Sequence, residues 1–127
     1  MYKRQEQQTE FLGWIAGNTK ESIFQHASIY CLPSWGEGFP MGVIDAIAYG
    51  IPVITTPVGG LEKVFHDGID AMIYETYDLK MLADKLEQLI KSETYRNSIV
   101  NEADKLVCSD FNIITICNKI EKIYENM

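Results

Sequence analysis

The stretch Ile29-Tyr30-Cys31-Leu32-Pro33-Ser34-Trp35-Gly36-Glu37-Gly38-Phe39-Pro40-Met41-Gly42-Val43-Ile44-Asp45-Ala46-Ile47-Ala48-Tyr49-Gly50-Ile51-Pro52-Val53-Ile54-Thr55-Thr56 holds a whole α/β unit. Ile29 to Leu32 is a short apolar run stopped by Pro33-Ser34-Trp35-Gly36, the pattern of a buried strand. From Met41 to Tyr49 the apolar positions 41, 44, 47 and 48 follow a helical period, and Gly50 with Pro52 supplies the stop. Pro52 to Thr56 is β-branched and ends at Pro57-Val58-Gly59-Gly60, which predicts the next strand.

The same alternation extends in both directions. Upstream, Phe11 to Ile15 reads as a strand, and Asn18-Thr19 reads as the cap of a helix over 20–28 that places Ile23, Phe24 and Ala27 on one face. Downstream, Leu61 to Phe65 is a brief turn, His66-Asp67-Gly68 is turn chemistry, and Ala71 to Tyr74 is a fourth short strand. From Asp78, a candidate N-cap, the period becomes 3.6, with Leu79, Leu82, Ala83, Leu86, Leu89 and Ile90 in one stripe. Two more helices are expected: one over 93–108 burying Ile99, Ala103 and Leu106, and one over 113–125 burying Ile113, Ile116, Cys117, Ile120 and Ile123.

Apolar strands alternating with helices imply a parallel sheet covered on both faces, because parallel strands are joined by crossovers. The expected class is therefore α/β: a Rossmann-like parallel sheet of about four strands flanked by helices, with a helical C-terminal part. Four short strands are few for such a sheet, and no glycine-rich first turn precedes residue 11. Residues 1–127 are expected to form one partial domain of a larger unit.

Composition narrows the function. With 46% hydrophobic and 23% charged residues, the chain is globular in character. Eleven basic against eighteen acidic residues give a net charge of −7, which disfavours nucleic acid and anionic lipid as partners. No apolar run reaches the roughly 18 to 20 residues of a membrane span, and the polar start Met1 to Gln8 does not resemble a leader. Cys31, Cys108 and Cys117 form no C-x-x-C pair and read as reduced, buried thiols, so a cytoplasmic location is expected. Neither G-x-G-x-x-G nor G-x-x-x-x-G-K-[ST] occurs.

The chemistry points to the loop from Pro33 to Asp45. It joins a strand's carboxyl end to a helix N-terminus, the edge at which open α/β sheets bind ligands. Free amides and a dipole's positive end suit an oxygen-rich or anionic guest, and Gly36, Gly38 and Gly42 leave room for it to reach the backbone. Glu37 on the loop and Asp45 in the helix's second turn are acceptors suited to the vicinal hydroxyls of a sugar or ribose. The spacing alone equally fits Glu37 as a helix cap and Asp45 as a solvated acid. Ser34, Trp35, Gly59 and Gly60 are further pocket candidates, Trp35 serving equally well as a lid on the core and the two glycines as a tight turn. His26 and His66 are given no role.

Six segments in order carry a resemblance: Phe11-Leu12-Gly13, the run Ala27 to Ser34, Glu37-Gly38-Phe39-Pro40, the run Ala46 to Thr55, Pro57-Val58-Gly59-Gly60, and His66-Asp67-Gly68. From Phe11 to Met127 the chain resembles the C-terminal part of the donor-binding domain of GT-B-fold retaining glycosyltransferases, in the large group 1 family (family 4). The resemblance implies a nucleotide-sugar ligand and no metal or other cofactor. It implies that Glu37 is the catalytic residue and contacts hydroxyls of the donor sugar, that Asp45 holds the ribose, and that amides around Gly38, Phe39, Met41 and Gly42 face sugar and diphosphate. Pro40 has no amide to offer.

Two departures qualify what is implied. Asp45 stands where the family pattern has Glu, drawing the carboxylate back by roughly 1.5 Å. The family's basic pair for the leaving diphosphate lies upstream of these motifs, and Lys3 and Arg4 lack its surrounding sequence. The expectation is a hexosyl transfer to a glycan or lipid-linked acceptor in a longer protein that adds an N-terminal acceptor domain. The isolated piece is expected to be inactive and to self-associate through an uncovered sheet edge and the apolar face at Ile116, Ile120 and Ile123. A non-catalytic nucleotide-binding or protein-interaction module, and a sugar-nucleotide epimerase, are the alternative readings.

Overall fold

A computed structural model describes residues 8–127. In chain order it contains α1 (Gly17–His26), β1 (Tyr30–Leu32), α2 (Met41–Ala48), β2 (Val53–Thr55), a short 3₁₀ turn (Gly59–Lys63), β3 (Met72–Ile73), α3 (Leu79–Lys91), α4 (Glu93–Asp110) and α5 (Ile113–Glu125). The strands form one parallel sheet in the order β1-β2-β3, with Tyr30 opposite Val53 and Ile54 opposite Met72. The α/β class holds with three strands among the described residues rather than about four.

The missing strand is the one expected over Phe11 to Ile15. These residues pair with no neighbour, Gly13 sits at φ +62°, and Phe11 and Trp14 are 91% and 96% exposed. An extended segment becomes a strand only where another backbone accepts and donates its hydrogen bonds, and among the described residues none pairs with this run. α1 also begins earlier than expected: Ala16 is its N-cap, without a side-chain bond, so Asn18 and Thr19 lie inside the first turn.

β2 is the central strand and is buried along its whole length. Its alternating side chains feed two cores. On one face Val53 joins Val43, Ala46, Ile47, Leu61, Phe65 and Ala103, closing α2 and α4 over the sheet. On the other, Ile54 packs with Met72, Tyr74, Leu89 and Ile99 beneath α3 and α4. The expected caps and stops are partly realised. Asp78 accepts from the Met81 amide at 2.8 Å at the start of α3, and Gly50 at φ +71° closes α2.

Three burial expectations are corrected. All three cysteines are exposed, because the faces that carry Cys31, Cys108 and Cys117 lie outside both cores. α5 buries none of its residues, and Ile113, Ile114, Ile120 and Ile123 are open to solvent. In α3 only Leu89 is fully buried, while Leu79 and Ile90, toward its two ends, are exposed.

Candidate functional site

The carboxyl ends of β1 and β2 both open onto the loop that precedes α2. Two hydroxyl bonds fasten this loop to the sheet. Thr56, at the end of β2, donates from Oγ1 to the Ser34 carbonyl at 2.5 Å, and Ser34 donates from Oγ to Glu37 Oε1 at 2.5 Å. Glu37 therefore does not cap α2: the N-cap is Pro40, with no side-chain bond. Its half-buried carboxylate is oriented by the serine, and its second oxygen takes no hydrogen bond among the described residues.

The two glycines after β2 hold the same loop from below. The Gly60 amide donates to the Gly38 carbonyl at 2.8 Å. A β-carbon on Gly59, which sits at φ +58°, would lie 2.2 Å from the Glu37 carbonyl oxygen, and one on Gly60 would lie 2.5 Å from the Phe39 ring. Both positions are thus needed for close packing. Phe39 turns inward, its ring 5.4 Å from that of Phe111. Gly36 and Gly38 have open space where a β-carbon would stand. At the helix start the Val43 amide bonds the Pro40 carbonyl, while the Met41 and Gly42 amides take no backbone partner among the described residues. An exposed glycine, a fixed carboxylate and free amides thus meet at one corner.

Asp45 faces another way. Its Oδ2 meets Lys20 Nζ of α1 at 2.6 Å, in a shallow cleft between α1 and α2 that also involves Phe24 and Tyr49. The hydrogen bond to Asp45, followed by its charge, holds the Lys20 ammonium above its ordinary pKa, and Nζ lies 5.4 Å over the Phe24 ring. Between the two acids stands Tyr30. Its hydroxyl occupies the space that a β-carbon on Gly42 would need, at 2.4 Å. Burial, then the charges of Asp45 and Glu37, push its phenol above the usual value. A neighbouring cleft lined by Trp14, Ile15, Lys20, Tyr30 and Gly42 connects this side to the start of α2.

Trp35 is no lid on the core. It is 74% exposed and meets Tyr77 edge-on, with ring centroids 4.5 Å apart. His66 stays local, bonding Asp70 through its amide and ring. No cluster of three or more His, Cys, Asp or Glu suited to a metal occurs among the described residues. Lys20, Tyr30, Thr56 and Tyr77 are the neighbours that the sequence did not single out. Only Lys20 left a trace, since it lies four residues before Phe24 on one helical face.

The model of the family described as "Glycosyl transferases group 1" matches residues 3–106. The chain belongs to this family. The group 1 chain is 33% identical over 103 residues to the capsular polysaccharide biosynthesis glycosyltransferase CapM of Staphylococcus aureus, covering 81% of this chain and 27% of that protein. It is 31% identical to the D-inositol 3-phosphate glycosyltransferase of Corynebacterium diphtheriae, covering 81% of this chain and 24% of that one. It thus spans about a quarter of the length of either relative.

Solved structures agree on the fold. The C-terminal domain of the group 1 family protein LpcC from Francisella tularensis matches at a TM-score of 0.72 with 28% identity, over 81% of this chain and 53% of that one. Anabaena Alr3699/HepE, solved in complex with UDP, matches at 0.86 with 20% identity, over 96% of this chain and 33% of that one. The three-stranded parallel sheet and its helices have the fold of GT-B glycosyltransferase C-terminal domains.

Proposed function

We propose that this chain is the donor-binding part of a retaining glycosyltransferase that passes a hexose from a nucleotide-sugar to a glycan or lipid-linked acceptor. The observation that carries the reading is the corner at Glu37. Its carboxylate is held by Ser34 beside an open Gly38 and the free amides of Met41 and Gly42. A sugar's vicinal hydroxyls suit the carboxylate, and the diphosphate suits the amides and the helix dipole. HepE, which shares the fold, was solved with UDP and with UDP-glucose.

In this reading Glu37 orients the donor hexose, and the amides of Gly38, Phe39, Met41 and Gly42 stabilise the charge that builds on the departing diphosphate. Asp45 takes the ribose. Its carboxylate is already engaged by Lys20, so the ribose hydroxyls share that carboxylate with the ammonium or displace it. A net charge of −7 is poor surrounding for a leaving nucleoside diphosphate. Turnover therefore requires cations and an acceptor domain from the rest of a longer protein, and the chain alone binds without transferring.

The occupied state of Asp45 also favours a second reading, a module that binds nucleotide and performs no transfer. One experiment separates the two. In the longer protein with its upstream sequence, transfer from a nucleotide-sugar is measured with and without Glu37→Ala. The transferase reading expects a fall on the order of 100-fold, as for loss of a single group that stabilises the transition state. Transfer unchanged in the variant removes Glu37 from the site, and nucleotide binding without any transfer establishes the module. Calorimetric titration of UDP, GDP and ADP into the same protein identifies the base.

A further inference from the structure

Another cleft opens at the same edge of the sheet, lined by residues that follow all three strands. It has a volume of about 300 Å³, at the lower end of small-molecule sites. Trp35 and Tyr77 form its rim, Tyr74 and Leu79 its apolar wall, and Thr56 and Thr76 add hydroxyls. None of its lining residues is charged.

Two features mark the rim as more than a chance gathering of exposed apolar groups. Tyr77 is the only non-glycine residue at positive φ among the described residues, at +75°, and it is 70% exposed. An aromatic residue in the left-handed region is strained, so the fold holds it there against local preference. Its ring stands edge-on to Trp35 at an interplanar angle of 62°, leaving aromatic face open to solvent on both residues. The second feature is continuity with the donor corner. Thr56 belongs to the cleft and bonds the Ser34 carbonyl, and Ser34 in turn bonds Glu37, so cleft and carboxylate share one wall.

We propose that this cleft receives a neutral pyranose ring of the acceptor glycan, stacked on Trp35 and Tyr77, an inference that rests on the transferase reading. The C–H face of a sugar is apolar and slightly positive and fits the electron-rich face of an aromatic ring, while its rim hydroxyls reach Thr76 and the tyrosine hydroxyl. The lining offers no cation to a phosphate, which favours a neutral group. The small volume favours a single ring over a long hydrocarbon chain.

The test uses the indole N–H signals of Trp14 and Trp35 in the ¹⁵N-labelled chain, assigned with Trp14→Phe, during titration with maltotriose. The Trp35 signal is expected to shift and saturate in about the millimolar range, with Trp14 unmoved. Tyr77→Gly removes the ring and suits the positive φ, so this variant folds at least as well and weakens the titration tenfold or more. An unmoved Trp35 signal, or an equal titration in Tyr77→Gly, overturns the proposal. A shift produced by decyl phosphate and not by maltotriose overturns it in favour of an apolar chain. UDP, GDP and ADP are titrated in parallel: a maltotriose response with no response to any of the three upholds the pyranose cleft and defeats the donor-binding reading, and the reverse defeats the cleft alone.

Discussion

Gly59 shows how tightly single atoms constrain the donor corner. A β-carbon there meets both the left-handed backbone and the Glu37 carbonyl, whereas at Gly50 the backbone is equally left-handed but the space is open. Gly50→Ala should therefore lose about 1 kcal/mol from backbone strain alone, and Gly59→Ala about 2 kcal/mol or more because the Glu37–Gly38 backbone must also move. Thermal melts of the two variants measure the difference, and equal losses would contradict the packing described. Tyrosines give a second residue-scale expectation. Burial raises the phenols of Tyr30 and Tyr74 above 10.0, so the folded state holds their protons more firmly than the unfolded state. Their contribution is fully present below pH 10 and is lost as pH rises through the higher folded values. Denaturant midpoints should fall above pH 10, and Tyr30→Phe should reduce that slope.

At the scale of elements, local chemistry and packing divide the work. Asp78 and Ser92 cap α3 and α4 through the amides of Met81 and Tyr95, and both helices begin where turn chemistry meets a 3.6-residue period. Asp78→Ala is expected to cost about 1 kcal/mol, read from urea denaturation. Leu61, in the 3₁₀ turn beneath the donor loop, is fully buried in the core under α2. Leu61→Ala should cost about 2 to 5 kcal/mol by leaving a cavity, and should weaken nucleotide binding as well because Gly59 and Gly60 belong to the same turn. The run at residues 11–15 has the composition of a strand and forms none, since a strand is a property of two backbones. α5 likewise has a clear helical period and no buried residue.

At the scale of the molecule those two segments share one consequence. Phe11, Leu12 and Trp14 at one end and Ile113, Ile114, Ile120 and Ile123 at the other leave large apolar side chains in water. The chain in isolation should self-associate with rising concentration, and the double variant Ile120→Glu, Ile123→Glu should shift sedimentation toward monomer. A wild-type chain that stays monomeric at high concentration would refute this.

What the sequence determined by itself was whatever depends on near neighbours in the chain. The strand-loop-helix-strand unit from Ile29 to Thr56, the cap at Asp78, the glycines that open the loop and the acid at its centre follow from periodicity, turn residues and spacing, which act over a few residues. The tertiary structure alone decided which way each acid points. Glu37 is turned by Ser34, which Thr56 anchors from 22 positions away, and Asp45 is claimed by Lys20, 25 positions before it. It also brought Tyr77 against Trp35 and left Phe11 to Ile15 without a strand partner among the described residues. These outcomes rest on contacts between residues distant along the chain, and no local pattern encodes a meeting whose geometry is fixed only when the sheet and its two cores close.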